Sequence, residues 1–213
     1  MFPYVSMSSY GRFGLVTHWT PGRFDDVWFS YDGRFSAFES FDLPRDPPSW
    51  WKVRGTWDQT GGTLNSRAAG ANDLATLPWH RSTDYTLSAR MQNLYGAAGN
   101  RIGLAFGFNF ETGDYYEVLF APTGQAYLNK FIQGQLTQVA TSTHTALGRA
   151  VWFDVELARR GPLSTVKVNG QPVFQNVATG QLDNSLNSGE VGVITHWSRA
   201  NFDDLRMEQY APR

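Results

Sequence analysis

The chain has 213 residues, of which 41% are hydrophobic and 15% aromatic, with a formal net charge of −1 and no cysteine. This length accommodates one or two domains, and the near-neutral charge argues against generic attraction to nucleic acid or to an anionic membrane. The lack of cysteine excludes disulfides, cysteine-based zinc sites and thiol nucleophiles, no apolar run reaches the roughly 18 residues of a membrane span, and no signal peptide is visible.

Short strands separated by turn residues are predicted along most of the chain, beginning at residues 35–41. Residues 43–51 predict a surface loop carrying Trp50 and Trp51, because their prolines have no amide to donate in a central strand. Residues 52–65 predict a hairpin around two glycines. Further strands are predicted at residues 74–77, 85–91, 101–110, 115–120, 127–132, 138–141, 151–157, 165–168 and 172–174. No segment has a convincing helical period, so the pattern predicts an all-β sandwich or barrel.

Two predicted strands differ in their side-chain pattern. Residues 85–92 alternate between apolar and polar, which predicts a half-buried strand with Arg90 and Gln92 on its polar face. Residues 101–110 are apolar at nearly every position, which predicts a strand buried on both faces. Asn169-Gly170 predicts a two-residue hairpin turn, because both residue types tolerate a positive φ.

A nineteen-residue segment occurs twice, as GRFGLVTHWTPGRFDDVWF at residues 11–29 and as GEVGVITHWSRANFDDLRM at residues 189–207. Eight aligned positions are identical without a gap, including all of Thr-His-Trp and Phe-Asp-Asp, which indicates a real repeat. Each copy predicts two short strands around a turn. Because an isolated hairpin is marginally stable in water, each copy is expected to form the closing edge of something larger.

The repeat divides the chain into residues 31–213, predicted to form one sandwich domain, and residues 1–30, predicted to form an extra N-terminal hairpin. The extra hairpin has two interpretations. It is the tail of a preceding module in a tandem array, or it is an assembly element that pairs with an exposed edge or enters a slot in another molecule. We favour the first interpretation, and the second predicts self-association through residues 1–30.

The order of several short motifs along the chain resembles a known family. The motifs are Gly-x-Trp at 55–57, Gly-Leu-x-Phe at 103–106, Asp-Tyr-Tyr at 114–116, Val-Asn-Gly at 168–170 and Gly-x-Val-Gly at 189–192. Together they are similar to the concanavalin A-like lectin and glucanase superfamily, in particular its laminin-G-like bacterial domains, over most of residues 35–208. The resemblance implies a jelly-roll sandwich of two antiparallel sheets, one of them concave.

The resemblance also implies a function. Many relatives are sugar-binding modules of secreted enzymes, so we expect a non-catalytic carbohydrate-binding or adhesive module of a larger extracellular or cell-surface bacterial protein, with a glycan or polysaccharide as partner. The alternatives are a structural repeat without a glycan ligand and a divergent glycoside hydrolase or polysaccharide lyase.

Catalytic carboxylates are not predicted. Glucanases of this superfamily carry Glu-x-Asp-x-x-Glu or a close variant, because their two catalytic carboxylates stand about 5 Å apart. The nearest match is Asp154 with Glu156, which share a strand face, but position 152 is a tryptophan, so the first carboxylate is missing. We therefore interpret these charges as a solvated strand face. The four histidines lack metal-ligand spacing.

Candidate glycan-binding residues follow from the chemistry of sugars, whose C–H faces stack on aromatic rings and whose hydroxyls bond polar side chains. The predicted set is Trp50, Trp51, Arg90, Gln92, Tyr115 and Lys130, which we expect to form a concave surface. Tyr115 and Tyr116 are adjacent in a strand, so only one of them can face the core.

A structural calcium ion is implied by the resemblance, since similar sandwich modules hold one near the junction of their first and last strands. Asp203 or Asp204 with Glu39 are the candidate ligands, and a salt bridge or turn cap is the alternative role. For His196 and Trp197 we favour structural roles, in which the tryptophan closes the sandwich and the histidine bonds a loop carbonyl.

Overall fold

The computed structural model describes residues 36–39, 51–67, 73–77, 84–178 and 189–210, without the side chains of residues 36–39, 51 and 77. The N-terminal copy of the repeat, the predicted boundary between residues 30 and 31, and Trp50 therefore lie outside the described residues.

The described residues form fifteen β-strands and no helix, so they include no helix that could cross a membrane. In chain order the strands are β1 (Ser36–Glu39), β2 (Trp51–Arg54), β3 (Trp57–Thr60), β4 (Thr63–Ser66), β5 (Asp73–Leu77), β6 (Asp84–Asn93), β7 (Arg101–Phe108), β8 (Tyr115–Phe120), β9 (Gln125–Ile132), β10 (Gln135–Thr143), β11 (Trp152–Arg160), β12 (Leu163–Val168), β13 (Gln171–Ala178), β14 (Glu190–His196) and β15 (Ala200–Gln209).

These strands make two antiparallel sheets. The eight-stranded sheet has the order β13-β12-β11-β6-β15-β4-β3, and β1 also pairs with β15. The seven-stranded sheet has the order β10-β9-β8-β7-β14-β5-β2. The prediction of an all-β sandwich of two antiparallel sheets is thus confirmed.

The core lies between the two sheets. Leu87 and Val155 of the eight-stranded sheet and Leu104 and Val118 of the seven-stranded sheet belong to it, and each is at most 1% exposed. Burying an aliphatic side chain of this kind contributes roughly 1.5–3 kcal/mol. The alternation predicted for β6 is confirmed, because its odd-numbered residues from Tyr85 to Asn93 are buried and the intervening ones are not.

The second copy of the repeat is an arch rather than a hairpin. β14 pairs with β5 and β7, whereas β15 pairs with β6 on one side and with β4 and β1 on the other, so the two strands lie in different sheets. The prediction of a hairpin at a closing edge is wrong, because both strands are interior to their sheets. We call residues 189–207 the C-terminal arch.

The predicted hairpins at residues 52–65 and 165–174 have different outcomes. β3 and β4 pair around Gly61 and Gly62, but β2 lies in the other sheet beside β5. β12 and β13 pair as predicted, and both residues of the Asn169-Gly170 turn have positive φ, 49° and 77°.

Candidate functional site

The outer surface of the eight-stranded sheet carries a patch of polar side chains around one indole. Its members are Arg90 and Gln92 of β6, Trp152 and Asp154 of β11, and Asn201 and Asp203 of β15, which we call the Arg90 face. The strand registers make two adjacent rows: Trp152, Gln92 and Asn201 lie side by side in one, and Asp154, Arg90 and Asp203 in the next. All six side chains are half-buried or exposed.

Contacts within this face fix the orientation of its side chains. The Arg90 guanidinium carbon lies 5.0 Å from the centroid of the Trp152 ring, a cation–π distance. The Gln92 amide donates from Nε2 to the Ala150 carbonyl at 3.0 Å and accepts at Oε1 from Asn201 Nδ2 at 2.9 Å. The face therefore presents an indole, a guanidinium and two oriented amides together.

The strand β15 is bulged where it crosses this face. Asp204 has a φ of 48°, and its amide donates to Asp203 Oδ1 at 2.8 Å, so Asp203 caps the bulge. No group of three or more metal-ligating side chains occurs among the described residues. The candidate calcium ligands Asp203 and Asp204 lie at this bulge, and the third candidate, Glu39, pairs with Leu205 and is described only in its backbone. The calcium stays a prediction, and an unfolding temperature insensitive to EDTA would contradict it.

The outer surface of the seven-stranded sheet is different, because apolar residues cover it. Leu74, Ala105, Phe108, Tyr115, Leu119 and Ile194 form a second buried cluster there, packed by Val53, Tyr127 and Phe131. The Tyr115 and Phe131 rings stack with centroids 5.1 Å apart, and the Arg101 guanidinium carbon lies 4.0 Å from the Tyr127 centroid. Residues of β7 belong to both this cluster and the inter-sheet core, which confirms the prediction that the strand is buried on both faces.

A carboxylate is buried within this apolar surface. Glu117 of β8 is fully buried; its Oε1 accepts from Asn129 Nδ2 at 2.9 Å, and its Oε2 lies 3.0 Å from His196 Nε2. The strand β7 lies between β8 and β14, with Ala105 opposite Glu117 on one side and Arg101 opposite His196 on the other. Gly103 lies midway between Ala105 and Arg101, so β7 places no side chain between Glu117 and His196. We call Glu117, Asn129 and His196 the Glu117 cluster.

Burial perturbs the phenol beside this cluster. Burial raises the pKa of Tyr115, the Glu117 carboxylate raises it further, and Arg54 opposes both by donating from Nη2 to the Tyr115 hydroxyl at 3.3 Å. The Tyr115 hydroxyl is therefore harder to ionise than that of a solvent-exposed tyrosine. One sign of this arrangement is visible in the sequence, where a glutamate lies inside an otherwise apolar strand.

The three residues of the Thr-His-Trp motif in the C-terminal arch lie in three different environments. Thr195 Oγ1 lies 3.3 Å from Ser66 Oγ on the inter-sheet side, His196 joins the Glu117 cluster, and Trp197 is 57% exposed. The structural role predicted for His196 holds, but its partner is a carboxylate rather than a loop carbonyl. Trp197 does not close the sandwich, since its φ of 54° ends the strand and its ring is exposed.

A second buried carboxylate lies on the inter-sheet side next to that threonine. Asp73 is 3% exposed and accepts a hydrogen bond from Ser66 Oγ at 2.8 Å. Burial raises the pKa of Asp73, whereas the bond from Ser66 and the charge of Arg54 lower it. The raised pKa reflects a buried charge that its hydrogen bond compensates incompletely.

The predicted binding residues do not form one surface. Arg90 and Gln92 lie together on the Arg90 face, but Tyr115 lies on the opposite outer surface of the sandwich and is 1% exposed. Lys130 of β9 pairs with Tyr116 of β8 and lies on the same face of β9 as the core residues Leu128 and Ala126. It therefore belongs to neither outer surface. Trp51 begins β2 in the seven-stranded sheet, and its side chain is among those not described. Ligand contact by any of them stays a prediction.

Asp154 and Glu156 share the outer surface of β11, as their spacing predicts. Glu156 Oε1 accepts from Lys167 Nζ at 2.7 Å, and the two side chains are 42% and 40% exposed. The pair therefore has the character of a solvated strand face. Trp152 completes the same surface, in the position where a first carboxylate would stand.

No family model matches the sequence, and no curated protein sequence matches it. Solved structures match its fold. The carbohydrate binding module CBM66 from Bacillus subtilis superposes with a TM-score of 0.65 at 14% identity, covering 74% of this chain and 94% of that chain. A Bacillus subtilis protein of unknown function with a galectin-like fold gives 0.67 at 12% identity, covering 83% and 96%.

A third match extends the comparison to an enzyme. The Bacillus licheniformis β-glucanase gives a TM-score of 0.59 at 10% identity, covering 84% of this chain and 98% of that chain. At these identities the likeness concerns the fold alone. This chain has the jelly-roll β-sandwich fold that these structures share.

Proposed function

We propose that this chain is a non-catalytic carbohydrate-binding or adhesive module of a larger extracellular protein, and that the Arg90 face holds the glycan or polysaccharide. The observation that carries the proposal is the arrangement of Trp152, Arg90, Gln92 and Asn201 on one accessible sheet surface. The likeness in fold to a carbohydrate binding module supports it.

The chemistry of this face suits a sugar. An indole offers a flat apolar surface to the C–H groups of a pyranose or furanose ring, and the rim hydroxyls need donors and acceptors in fixed positions. The Gln92 and Asn201 amides are held by their mutual bond of 2.9 Å, and the Arg90 guanidinium is held over the ring. Because these groups are already oriented, little side-chain entropy is lost on binding.

The other outer surface suits a bound glycan less well. Its polar groups, Glu117 and Asn129, are at most 2% exposed and already bond each other. A sugar hydroxyl reaching them would first have to displace a satisfied buried contact, which costs free energy. We therefore assign the ligand to the Arg90 face rather than to the aromatic residues around Tyr115.

A glycan array screened with the full chain tests this function, followed by calorimetry with any sugar that binds. We expect Trp152→Ala and Gln92→Ala each to weaken binding roughly tenfold or more, about 1.4 kcal/mol. Phe110→Ala is the matched control, because Phe110 is a 47% exposed aromatic residue outside this face. Thermal unfolding of each variant establishes that the fold is retained.

Three outcomes would count against the proposal. Binding that survives Trp152→Ala but not Phe110→Ala would move the site elsewhere. The absence of any bound glycan would favour the second candidate, a structural repeat without a glycan ligand. Hydrolysis of a bound polysaccharide that is lost in Glu156→Gln would favour the third, a divergent glycosidase.

A further inference from the structure

The described part of the chain has one place for an arch, and the sequence contains a second copy of the segment that occupies it. The place, which we call the arch slot, lies between β5 and β7 in one sheet and between β6 and the β4 and β1 strands in the other. The C-terminal arch occupies it. What the slot requires of each residue can therefore be compared with residues 11–29.

The slot requires glycine at two positions. A Cβ at Gly189 would lie 2.3 Å from the carbonyl carbon of Gly107, and one at Gly192 would lie 2.1 Å from the Ala75 carbonyl oxygen. Backbone atoms cannot yield at such distances without moving a neighbouring strand. The aligned residues of the first copy are Gly11 and Gly14, so both requirements are kept.

The polar and strained positions of the arch are also kept. The contacts of Thr195 and His196, the buried ring of Phe202 and the capped bulge at Asp203 and Asp204 each depend on residue type, whereas the exposed Trp197 has a positive φ that does not favour tryptophan. The aligned residues are identical: Thr17, His18, Trp19, Phe24, Asp25 and Asp26. Seven of the eight identities of the repeat thus fall on positions for which the slot gives a physical reason, and the eighth is Trp19, aligned with the exposed Trp197.

Differences between the copies are of two kinds. In the turn, the substituted residues can make the same hydrogen bonds. The backbone carbonyl of Arg199 accepts from the Leu94 amide, and the aligned Pro21 also has a backbone carbonyl. The hydroxyl of Ser198 donates to Asn93 Oδ1, and the aligned Thr20 also has a hydroxyl. Other changes weaken the fit, since the fully buried Val191 aligns with the larger Phe13. The C-terminal arch is therefore the better occupant, and the first copy is a compatible one.

The chain length also permits the first copy to reach the slot. β1 pairs with β15 antiparallel, with Ala37 opposite Met207 and Ser36 opposite Glu208. Residues 29 and 30 align with these two partners, which leaves residues 31–35 as a five-residue loop. Five residues is within the usual length of a β-hairpin loop.

We propose that residues 11–29 are a second arch for this slot, so that either arch of one chain can fill it. The arch left out is then available to the slot of a second copy of this chain. Seating the N-terminal arch forms a hairpin with β1 and releases the C-terminal arch. Two copies of the chain can thereby exchange arches, each inserting its free arch into the slot of the other.

Valine substitutions at the two aligned glycines test this in the full chain. Gly14→Val should leave the unfolding temperature within about 2 °C of the parent, because the C-terminal arch fills the slot. Gly192→Val should lower it but keep a cooperative transition, because the N-terminal arch takes over. The double variant Gly14→Val/Gly192→Val should lose cooperative unfolding altogether.

Engineered cysteines identify which arch is seated, because the native chain has none. Gln92 is opposite Asn201 in the register, and the residue aligned with Asn201 is Arg23. Paired residues of antiparallel strands are close enough for a disulfide. The pair Gln92→Cys with Asn201→Cys should cross-link in the parent, and Gln92→Cys with Arg23→Cys should cross-link only in the Gly192→Val background.

Gel electrophoresis distinguishes a cross-link within one chain from one between two chains, and either form supports the proposal. It is overturned if Gly192→Val alone abolishes folding. It is equally overturned if the double variant is no less stable than Gly192→Val, or if Asn201→Cys rather than Arg23→Cys still cross-links in that background.

Discussion

The two sheets of the sandwich share one core but differ in what they expose on their other side. In the eight-stranded sheet β6 and β11 alternate between buried and more exposed residues, so its outer surface carries Arg90, Gln92 and their polar neighbours. The seven-stranded sheet has apolar residues on both sides, with Leu119 and Ile194 fully buried on its outer surface. Polar groups on the first surface are solvated, and those on the second must find partners within the protein.

This difference in burial explains why similar residue types have different surroundings on the two surfaces. Arg90 over Trp152 and Arg101 over Tyr127 are both cation–π contacts with half-buried rings, so the two surfaces differ in their carboxylates rather than in these contacts. A carboxylate such as Asp154 is hydrated on the polar surface, whereas Glu117 needs Asn129 and His196. Variants on the two surfaces test that contrast.

Aromatic truncation compares the two surfaces directly. Tyr115→Ala removes a ring that is 1% exposed and stacked on Phe131, so we expect it to lower the free energy of unfolding by about 4 kcal/mol. Trp152→Ala removes a half-buried ring and should cost only about 1 kcal/mol. Urea denaturation measures both. Equal losses would mean that the two surfaces are equally packed.

Removal of a carboxylate makes the same comparison for charge. Glu117→Ala leaves Asn129 and His196 buried without their partner, and we expect a loss of about 3 kcal/mol. Asp154→Ala, on the accessible surface, should change stability by no more than about 0.5 kcal/mol. A Glu117→Ala variant as stable as Asp154→Ala would show that the buried cluster does not stabilise the sheet.

The inter-sheet side can be probed through pH. Because the folded pKa of Asp73 lies above its ordinary value, the folded state holds this proton more tightly than the unfolded chain does. The contribution of Asp73 to stability is therefore greatest below pH 3.8 and falls as pH rises through the raised pKa. Asp73→Asn, which keeps an acceptor for Ser66, should gain stability relative to the parent over that range. A parallel pH profile for the two proteins would contradict this.

The smallest effect concerns the ion pair on the polar surface. Glu156 and Lys167 are about 40% exposed, at 42% and 40%, so solvent screens their attraction. A double-mutant cycle with Glu156→Gln and Lys167→Met should give a coupling of no more than about 0.5 kcal/mol, decreasing with salt. A coupling of several kcal/mol would indicate that this surface is less hydrated than its exposure implies.

Local patterns in the sequence predicted much of the fold. Alternation in β6, the apolar run of β7 and the Asn169-Gly170 turn each reflect contacts with near neighbours, and each is confirmed. The arch was missed, because two strands around a short turn have the same pattern whether they pair with each other or lie in different sheets. Only the partners β5, β7, β6 and β4 decide between the two.

The candidate site was predicted in part for the same reason. Arg90 and Gln92 share a strand, so their common face could be read from a period of two. Tyr115 was grouped with them because no pattern in the sequence says which of two sheets a strand joins. Glu117 and His196 are 79 residues apart and meet only through the registers of β8, β7 and β14.

The interior position of β14 and β15 has a consequence for biosynthesis. They are the last of the described strands to leave a ribosome, so each sheet stays divided until they emerge. Until then β5, β7, β6 and β4 present unpaired edges, the condition in which chaperones are needed and chains aggregate. Ribosome-arrested chains ending before residue 189 should be more sensitive to protease than those that include residue 209, unless an earlier segment occupies the gap.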